Sequence, residues 1–376
     1  MMKLQTHKLL AQSPGTQREL VSLHYGTPAD VGAGPKIYIQ ASLHADELPG
    51  MLVAHHLRQQ LDALEAAGRI SGEIILVPMA NPIGLSQMVL HMPQGRFELN
   101  TGENFNRHYP EQIEAVATAV ENELNQDAEH NVRVLRAALK KAVSESPAET
   151  ELQSLRRALL GLSVDADVVL DLHCDAQAVL HLYTETPCWP QCESLARYLG
   201  SRVTLLAQDS GDNPFDEACS QSWWRWARRF GERFPIPQAC LAVTVELRGL
   251  ADVEHETAQA DAQNIINYLI HRGAINGPGV ALPAAVGDAR PLAGSMPVKA
   301  TSPGLLTFLR HPGEMVSQGD VLAHVIDPIS NTVTELKAPV DGLLYARENL
   351  RYATNGLRVC KVAGVEALRS GKLLGF

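Results

Sequence analysis

The sequence predicts an α/β fold, a mixed sheet flanked by helices, followed by a small all-β C-terminal lobe. Three observations carry this. Short runs of aliphatic and β-branched residues recur at 36–43, 73–78, 168–173 and 241–245, the signature of buried strands. Stretches with helical spacing separate them. The segment from Gly273 to Ala293 then turns rich in Gly, Pro and Ala, which marks a linker, and clear helical patterning does not resume after it. A chain of 376 residues can build two domains with their own cores. The expected division is residues 1–290, carrying a helical insertion at 111–160, and residues 291–376.

In chain order, Arg18 to Tyr25 alternates before Gly26 and reads as a strand. Lys36 to Leu43 is an apolar strand, and Met51 to Ala66 has its leucines at helical spacing after Pro49-Gly50. Glu73 to Pro78 is another strand. Residues 111–160 are rich in Ala, Glu, Leu and Arg and read as helices joined near Ser144–Pro147. Their charge suits a solvated face, with a lid or a dimer contact as the functional alternatives. Val168 to His173 and Leu241 to Val245 are strands, and Asp216 to Phe230 and Gln259 to His271 are helices. Trp223, Trp224 and Trp226 form the densest aromatic cluster and suit a core anchor.

Chemistry-bearing residues gather at strand ends, where open α/β sheets place their ligands. His44 and Glu47 follow the strand at 36–43, and His173 closes the strand at 168–173. Two histidines and one carboxylate leave a fourth position for water, the ligand set of a catalytic zinc rather than a structural one. Glu246 closes the strand that begins at Leu241; its ordinary alternative is an ion pair with Arg248. Asn106-Arg107 offers a planar fork of donors that suits a substrate carboxylate, against the plainer reading of a loop salt bridge. Asp171 shares a strand face with His173 and suits a ligand-orienting acid.

His44-x-x-Glu47, Asn106-Arg107, His173 and Glu246 stand in the order found in zinc carboxypeptidases. Over most of residues 36–273 the chain most closely resembles the succinylglutamate desuccinylase/aspartoacylase branch of that superfamily. The resemblance implies a zinc carboxypeptidase-like fold and one Zn2+ per subunit. It implies an amidohydrolase that removes an acyl group from a small N-acyl amino acid. Position by position, His44, Glu47 and His173 match the metal ligands, Glu246 the general base, and Asn106 and Arg107 the substrate-carboxylate anchor. Two departures stand out. The family's aspartate two residues before the Asn-Arg pair is Asn104 here, which adds no negative charge behind the first histidine. Arg96 is the nearest candidate for the arginine that polarises the scissile carbonyl, at a longer spacing from Arg107 than the family pattern.

The C-terminal stretch Pro312-Gly313-Glu314-x-Val316-x-x-Gly319-Asp320-x-Leu322 resembles a lipoyl/biotinyl-type hammerhead. A carrier domain needs a lysine at its hairpin tip, and Asp327 to Thr332 has none. The lobe is therefore expected to shape the substrate site or to be structural.

Composition narrows the partners. Hydrophobic content of 45% and charged content of 20% are globular values. A net charge of −10 without a basic run argues against nucleic acid. No run approaches the roughly 18 apolar residues of a membrane span, and the start lacks an apolar core with a cleavage site. Six cysteines without a C-x-x-C pair suit reduced intracellular thiols. The expected setting is cytoplasmic, with a small-molecule partner; monomer and homo-oligomer stay open. A peptide-cleaving metallocarboxypeptidase and a metal-retaining binding protein are the alternatives, and a retained base at Glu246 argues against the second.

Overall fold

The computed structural model describes residues 2–28 and 34–374. Nine strands make the main sheet: β1 (Lys3–Lys8), β2 (Glu19–Gly26), β3 (Lys36–Ala41), β4 (Glu73–Val77), β5 (Val168–Asp175), β6 (His181–Glu185), β7 (Val203–Ala207), β8 (Leu241–Gly249) and β9 (Asp288–Pro291). Their spatial order is β1-β2-β4-β3-β5-β8-β6-β7-β9. The centre, β4-β3-β5-β8, is parallel. Such strands are buried on both faces, which is why they read as continuous apolar runs. Antiparallel pairings bring in β2 and β6, so the sheet is mixed.

Alternate side chains feed two cores. Ile37 and Ile39 pack with α1 (Pro49–Ala66), α5 (Trp189–Leu199) and α7 (His255–His271) on one face. Tyr38 packs on the other with the insertion helices α2 (Ile113–Val120), α3 (Ala128–Glu145) and α4 (Glu151–Ser163), and with α6 (Phe215–Phe230). The insertion thus covers one face of the sheet. Trp223 and Trp226 of α6 are fully buried there, and Trp226 Nε1 donates to Ile113 O at 2.9 Å. The core-anchor reading holds for both.

Several boundaries moved for local reasons. The strand expected to reach Leu43 stops at Ala41 because Ser42 is left-handed, with φ 58°. Helix α1 starts at Pro49, a residue preset for the first helical turn. The linker read at 273–293 contains β9, which pairs in parallel with β7 through main-chain groups. Its Asp-Ala-Arg-Pro sequence carries no strand pattern, and an edge position tolerates the proline. β1, β6, β7 and α5 were likewise not distinguished in the sequence.

Beyond β9 the chain forms two antiparallel sheets around a separate small core. One contains β10 (Ser295–Lys299), β12 (Met315–Val316), β15 (Gly342–Arg347) and β17 (Arg358–Ala363); the other contains β11 (Gly304–Phe308), β13 (Val321–Asp327), β14 (Thr332–Lys337) and β16 (Tyr352–Ala353). β15 also pairs with Gln177–Ala178, just past the end of β5. This places the lobe against the ends of the central strands.

Candidate active site

The loop after β3 is shaped to bring two side chains together. Left-handed Ser42 turns the chain, and its hydroxyl donates to Glu47 O at 2.9 Å. Gly95 lets the neighbouring loop close on it: a Cβ there would lie 2.1 Å from Asp46 N, and Ala45 N donates to Gly95 O at 3.0 Å. His44 and Glu47 then meet His173 from β5. His44 Nδ1 lies 2.9 Å from Glu47 Oε1, and His173 Nδ1 lies 2.8 Å from Glu47 Oε2. One donor atom from each of the three buried residues falls within 4.8 Å of the others.

The groups behind the rings decide what this cluster can hold. Asn104 Oδ1 accepts the Asn106 N–H at 2.8 Å, and lies 2.9 Å from His44 Nε2. An acceptor there fixes the proton on Nε2 and leaves Nδ1 as a lone pair aimed at Glu47. Asp171 Oδ2 lies 2.8 Å from His173 Nε2, and Asp171 is itself held by Gln40 Nε2 at 2.9 Å. Two ring lone pairs and a carboxylate facing one another repel unless a cation lies between them. Arg96 Nη1 partly meets that demand, 3.0 Å from Glu47 Oε1 and 3.3 Å from His44 Nδ1. The donor set, the tautomers and the burial all fit a divalent metal ion such as zinc.

The charges agree. Burial, with Arg96 adding to it, pushes His44 down to about 4, so it is neutral at pH 7 as a ligand must be. Burial would also lower His173, but the Asp171 and Glu47 carboxylates hold it well above its ordinary value. Burial opposes ionisation of Glu47, yet the two histidines keep it well below the usual carboxylate range.

Glu246 stands opposite His173 in the β5–β8 register. Arg248, the partner in the alternative ion-pair reading, is also left-handed, with φ 66°, and pairs instead with Asp261. Glu246 Oε2 is consequently buried without a hydrogen-bond partner among the described residues. Burial, reinforced by Glu47, raises this carboxyl to about 8.

Asn106 and Arg107 border the same cavity of about 400 Å3. Asn106 Oδ1 accepts the Phe215 N–H at 2.8 Å, tying this loop to the start of α6. Arg107 is buried, and its Nη1 donates to Asn106 O at 2.6 Å. Arg96 lines the cavity too. All seven site residues expected from the sequence thus border one cavity.

Other lining groups had no role assigned in the sequence. Asp175 of β5 pairs with Lys361 of β17, and Tyr345 of β15 stands nearby. Asp216 and Glu217 of α6 line the wall as well. Only Asp175 had a sequence signal, its nearness to His173. The rest arrive from distant segments.

Residues 33–272 match the family model of the succinylglutamate desuccinylase/aspartoacylase catalytic domain. The chain belongs to this family, and is therefore an amide-hydrolysing enzyme of the deacylase kind. It is 24% identical over 331 residues to the N-alpha-acetyl-L-2,4-diaminobutyric acid deacetylase of Halomonas elongata, covering 84% of this chain and 78% of that protein. A crystal structure from Shewanella amazonensis, described as of the same family, superposes with a TM-score of 0.83 at 27% identity, covering 96% of this chain and 98% of the other. Another from Shewanella frigidimarina gives 0.83 at 24% identity, with 96% and 97% covered.

Proposed function

We propose that this protein is a zinc-dependent deacylase that removes an acyl group from a small N-acyl amino acid. The observation that carries the reading is Glu246 Oε2, buried close to the His44–Glu47–His173 cluster and without a hydrogen-bond partner among the described residues. His44, Glu47 and His173 hold the ion. When bound, zinc supplies an acidified water and polarises the amide carbonyl. Glu246 accepts a proton from that water and passes it to the leaving nitrogen, and its raised affinity for protons suits it to both halves of the transfer. Arg107, with Asn106, binds the substrate carboxylate and orients the scissile amide. Arg96, whose guanidinium already reaches Glu47, stabilises the developing oxyanion.

Residues 1–290, with the helical insertion, act as the catalytic domain, and residues 291–376 as a substrate-shaping lobe of hammerhead type. Tyr345 and Lys361 of the lobe wall the cavity, which favours a small substrate over a peptide chain. Free, buried cysteines suit a cytoplasmic enzyme.

The test is hydrolysis of N-acyl amino acids by zinc-loaded and chelator-stripped protein, with peptides alongside. Zinc-dependent release of one acyl group supports the reading. Cleavage of peptides alone would replace it with the carboxypeptidase alternative, and tight zinc without any turnover would replace it with a binding protein.

A further inference from the structure

After β17 the chain runs on through residues 364–374 and turns back to the loop between β7 and α6. Leu368 and Arg369 each donate a main-chain N–H to Ala293 O at 3.0 Å, and Arg369 Nη1 donates to Ser295 O at 2.8 Å. The segment then lies along residues 210–212. Leu373 N and Leu374 N both donate to Ser210 O, at 2.9 and 3.3 Å, and Lys372 Nζ pairs with Asp212 at 2.5 Å. The approach is close at left-handed Gly211, where a Cβ would lie 3.1 Å from Lys372 Cγ.

The same loop holds the segment that carries Arg107. Asp212 O accepts the His108 N–H at 2.7 Å and Asn213 O the Tyr109 N–H at 3.2 Å, while the Phe215 N–H holds Asn106 Oδ1. Arg107 therefore has a neighbour on each side fixed to residues 212–215. Asp212 and Asn213 make these contacts in left-handed conformations, φ 62° and 45°, which aspartate and asparagine adopt more readily than other side chains. Leu373 and Leu374 border the cavity beside Ser210 and pack with Leu205, Ala207 and Leu292, which border it too. Main-chain bonds and Arg369 are enough to fasten the segment, and they do not call for two leucines at the cavity edge. Leucines fixed to the loop that holds Arg107 meet the part of a substrate nearest its carboxylate. In an α-amino acid that part is the side chain.

We propose that Leu373 and Leu374 are specificity-determining residues that limit the size of the amino-acid side chain a substrate can carry, and that Lys372 is the positioning residue that keeps them in register with the Arg107 segment. This rests on the deacylase reading above. The carboxylate of the substrate pairs with Arg107, its side chain abuts the two leucines, and its acylated nitrogen faces Glu246.

The experiment compares L-alanine with L-phenylalanine, which differ in side-chain size. Binding to the zinc-loaded full chain is measured by calorimetry, and hydrolysis of the two Nα-acetyl derivatives is measured in parallel. The wild type is expected to favour the alanine member of each pair. Leu373→Ala and Leu374→Ala should each move the preference toward phenylalanine by about ten-fold or more, the level at which a pocket wall discriminates by size. Lys372→Ala should move it the same way, with KM changed more than kcat, and Lys372→Arg should restore it. A wild-type preference for phenylalanine overturns the wall, as does an unchanged ratio in both leucine variants. A shift in Lys372→Ala that arginine does not rescue overturns the positioning role. If circular dichroism shows the leucine variants unfolded, Lys372→Ala decides, because that side chain is exposed. Cleavage of the acetyl derivatives with the same size ratio in every variant sinks the wall and leaves the deacylase reading standing. A shifted binding ratio with neither derivative cleaved supports the wall and counts against the deacylase reading.

Discussion

The two ends of the central parallel strands handle buried charge in opposite ways. At the amino-terminal ends the charges of Lys36, Asp165 and Asp167 are all paired. Lys36 Nζ pairs with Asp165, which also takes Lys140 Nζ at 2.7 Å. Asp167 accepts the Lys36 N–H and Arg136 Nη2, each at 2.7 Å, and Arg136 also reaches Ala239 O. At the carboxyl-terminal ends the same strands leave charges open: Glu246 Oε2 has no hydrogen-bond partner among the described residues, and His44 Nδ1 faces a carboxylate. The paired end tethers the helical insertion to the sheet. The open end costs stability and leaves groups free for the metal ion and substrate proposed above. Buried charge by itself therefore says little about function, whereas buried charge without a partner says a great deal.

The comparison breaks or sharpens at four positions. Glu246→Gln tests the open end most directly. Turnover should fall by roughly 10²–10⁴-fold, the usual contribution of a general acid–base group, while zinc stoichiometry measured by atomic emission stays at the wild-type value. Activity within a few-fold of wild type would falsify the role of Glu246.

Asp165→Asn tests the paired end. It leaves Lys36 buried without its charge partner, and chemical denaturation should show a loss of about 3 kcal/mol at pH 7 with turnover unchanged. The pH dependence has a defined sign. Burial opposes ionisation of Asp165, but Lys36 and Lys140 outweigh it and depress the folded pKa. The stabilisation is therefore fully present above the unfolded carboxyl value near ~4 and is lost as the pH falls through the lower folded value. The gap between wild type and variant should shrink from pH 5 toward pH 2; a constant gap would mean that packing, not charge, is responsible.

Asn104→Leu removes the acceptor behind His44 Nε2. Competition with a chromophoric chelator should show zinc affinity reduced by roughly 10–100-fold. Asn104→Asp should preserve that affinity or raise it, because the carboxylate makes the ring a better donor. An unaltered affinity in Asn104→Leu would show that the ring needs no orienting partner.

Arg107→Lys is the mildest change. It retains a positive charge but loses the planar fork, so KM for an N-acyl amino acid should rise by about ten-fold, with kcat less affected. A drop confined to kcat would move Arg107 from substrate binding to the chemical step.

Much of this was legible in the sequence because the strands that matter are fully buried. Ile37, Ile39, Val169 and Leu170 are apolar whichever face they serve, so β3 and β5 stand out as runs. A strand end followed by His44-x-x-Glu47, or ending at His173, is then visible as a place where chemistry collects. Edge strands were harder to see. β1 and β9 are held by main-chain pairing at the rims of the sheet, and hydrogen bonds of that kind leave no side-chain pattern. The cavity wall was also hidden. Lys361 lies 188 positions after His173, and nothing in its own neighbourhood marks it as facing Asp175.

By itself the sequence determined the mixed α/β class, the residues of the candidate metal site and the family, since these depend on local hydrophobic runs and on side-chain types at strand ends. Tertiary structure alone decided which of those charges have partners. Arg248 and Glu246 are two residues apart, yet a left-handed turn sends the arginine to Asp261 and leaves the glutamate open. Asp216 and Glu217 lie in a predicted helix in the sequence, and only the fold sets them in the same cavity wall as Arg107. The physical reason is that local pattern reports burial and backbone preference, whereas the availability of a charge depends on what the rest of the chain brings within hydrogen-bond reach.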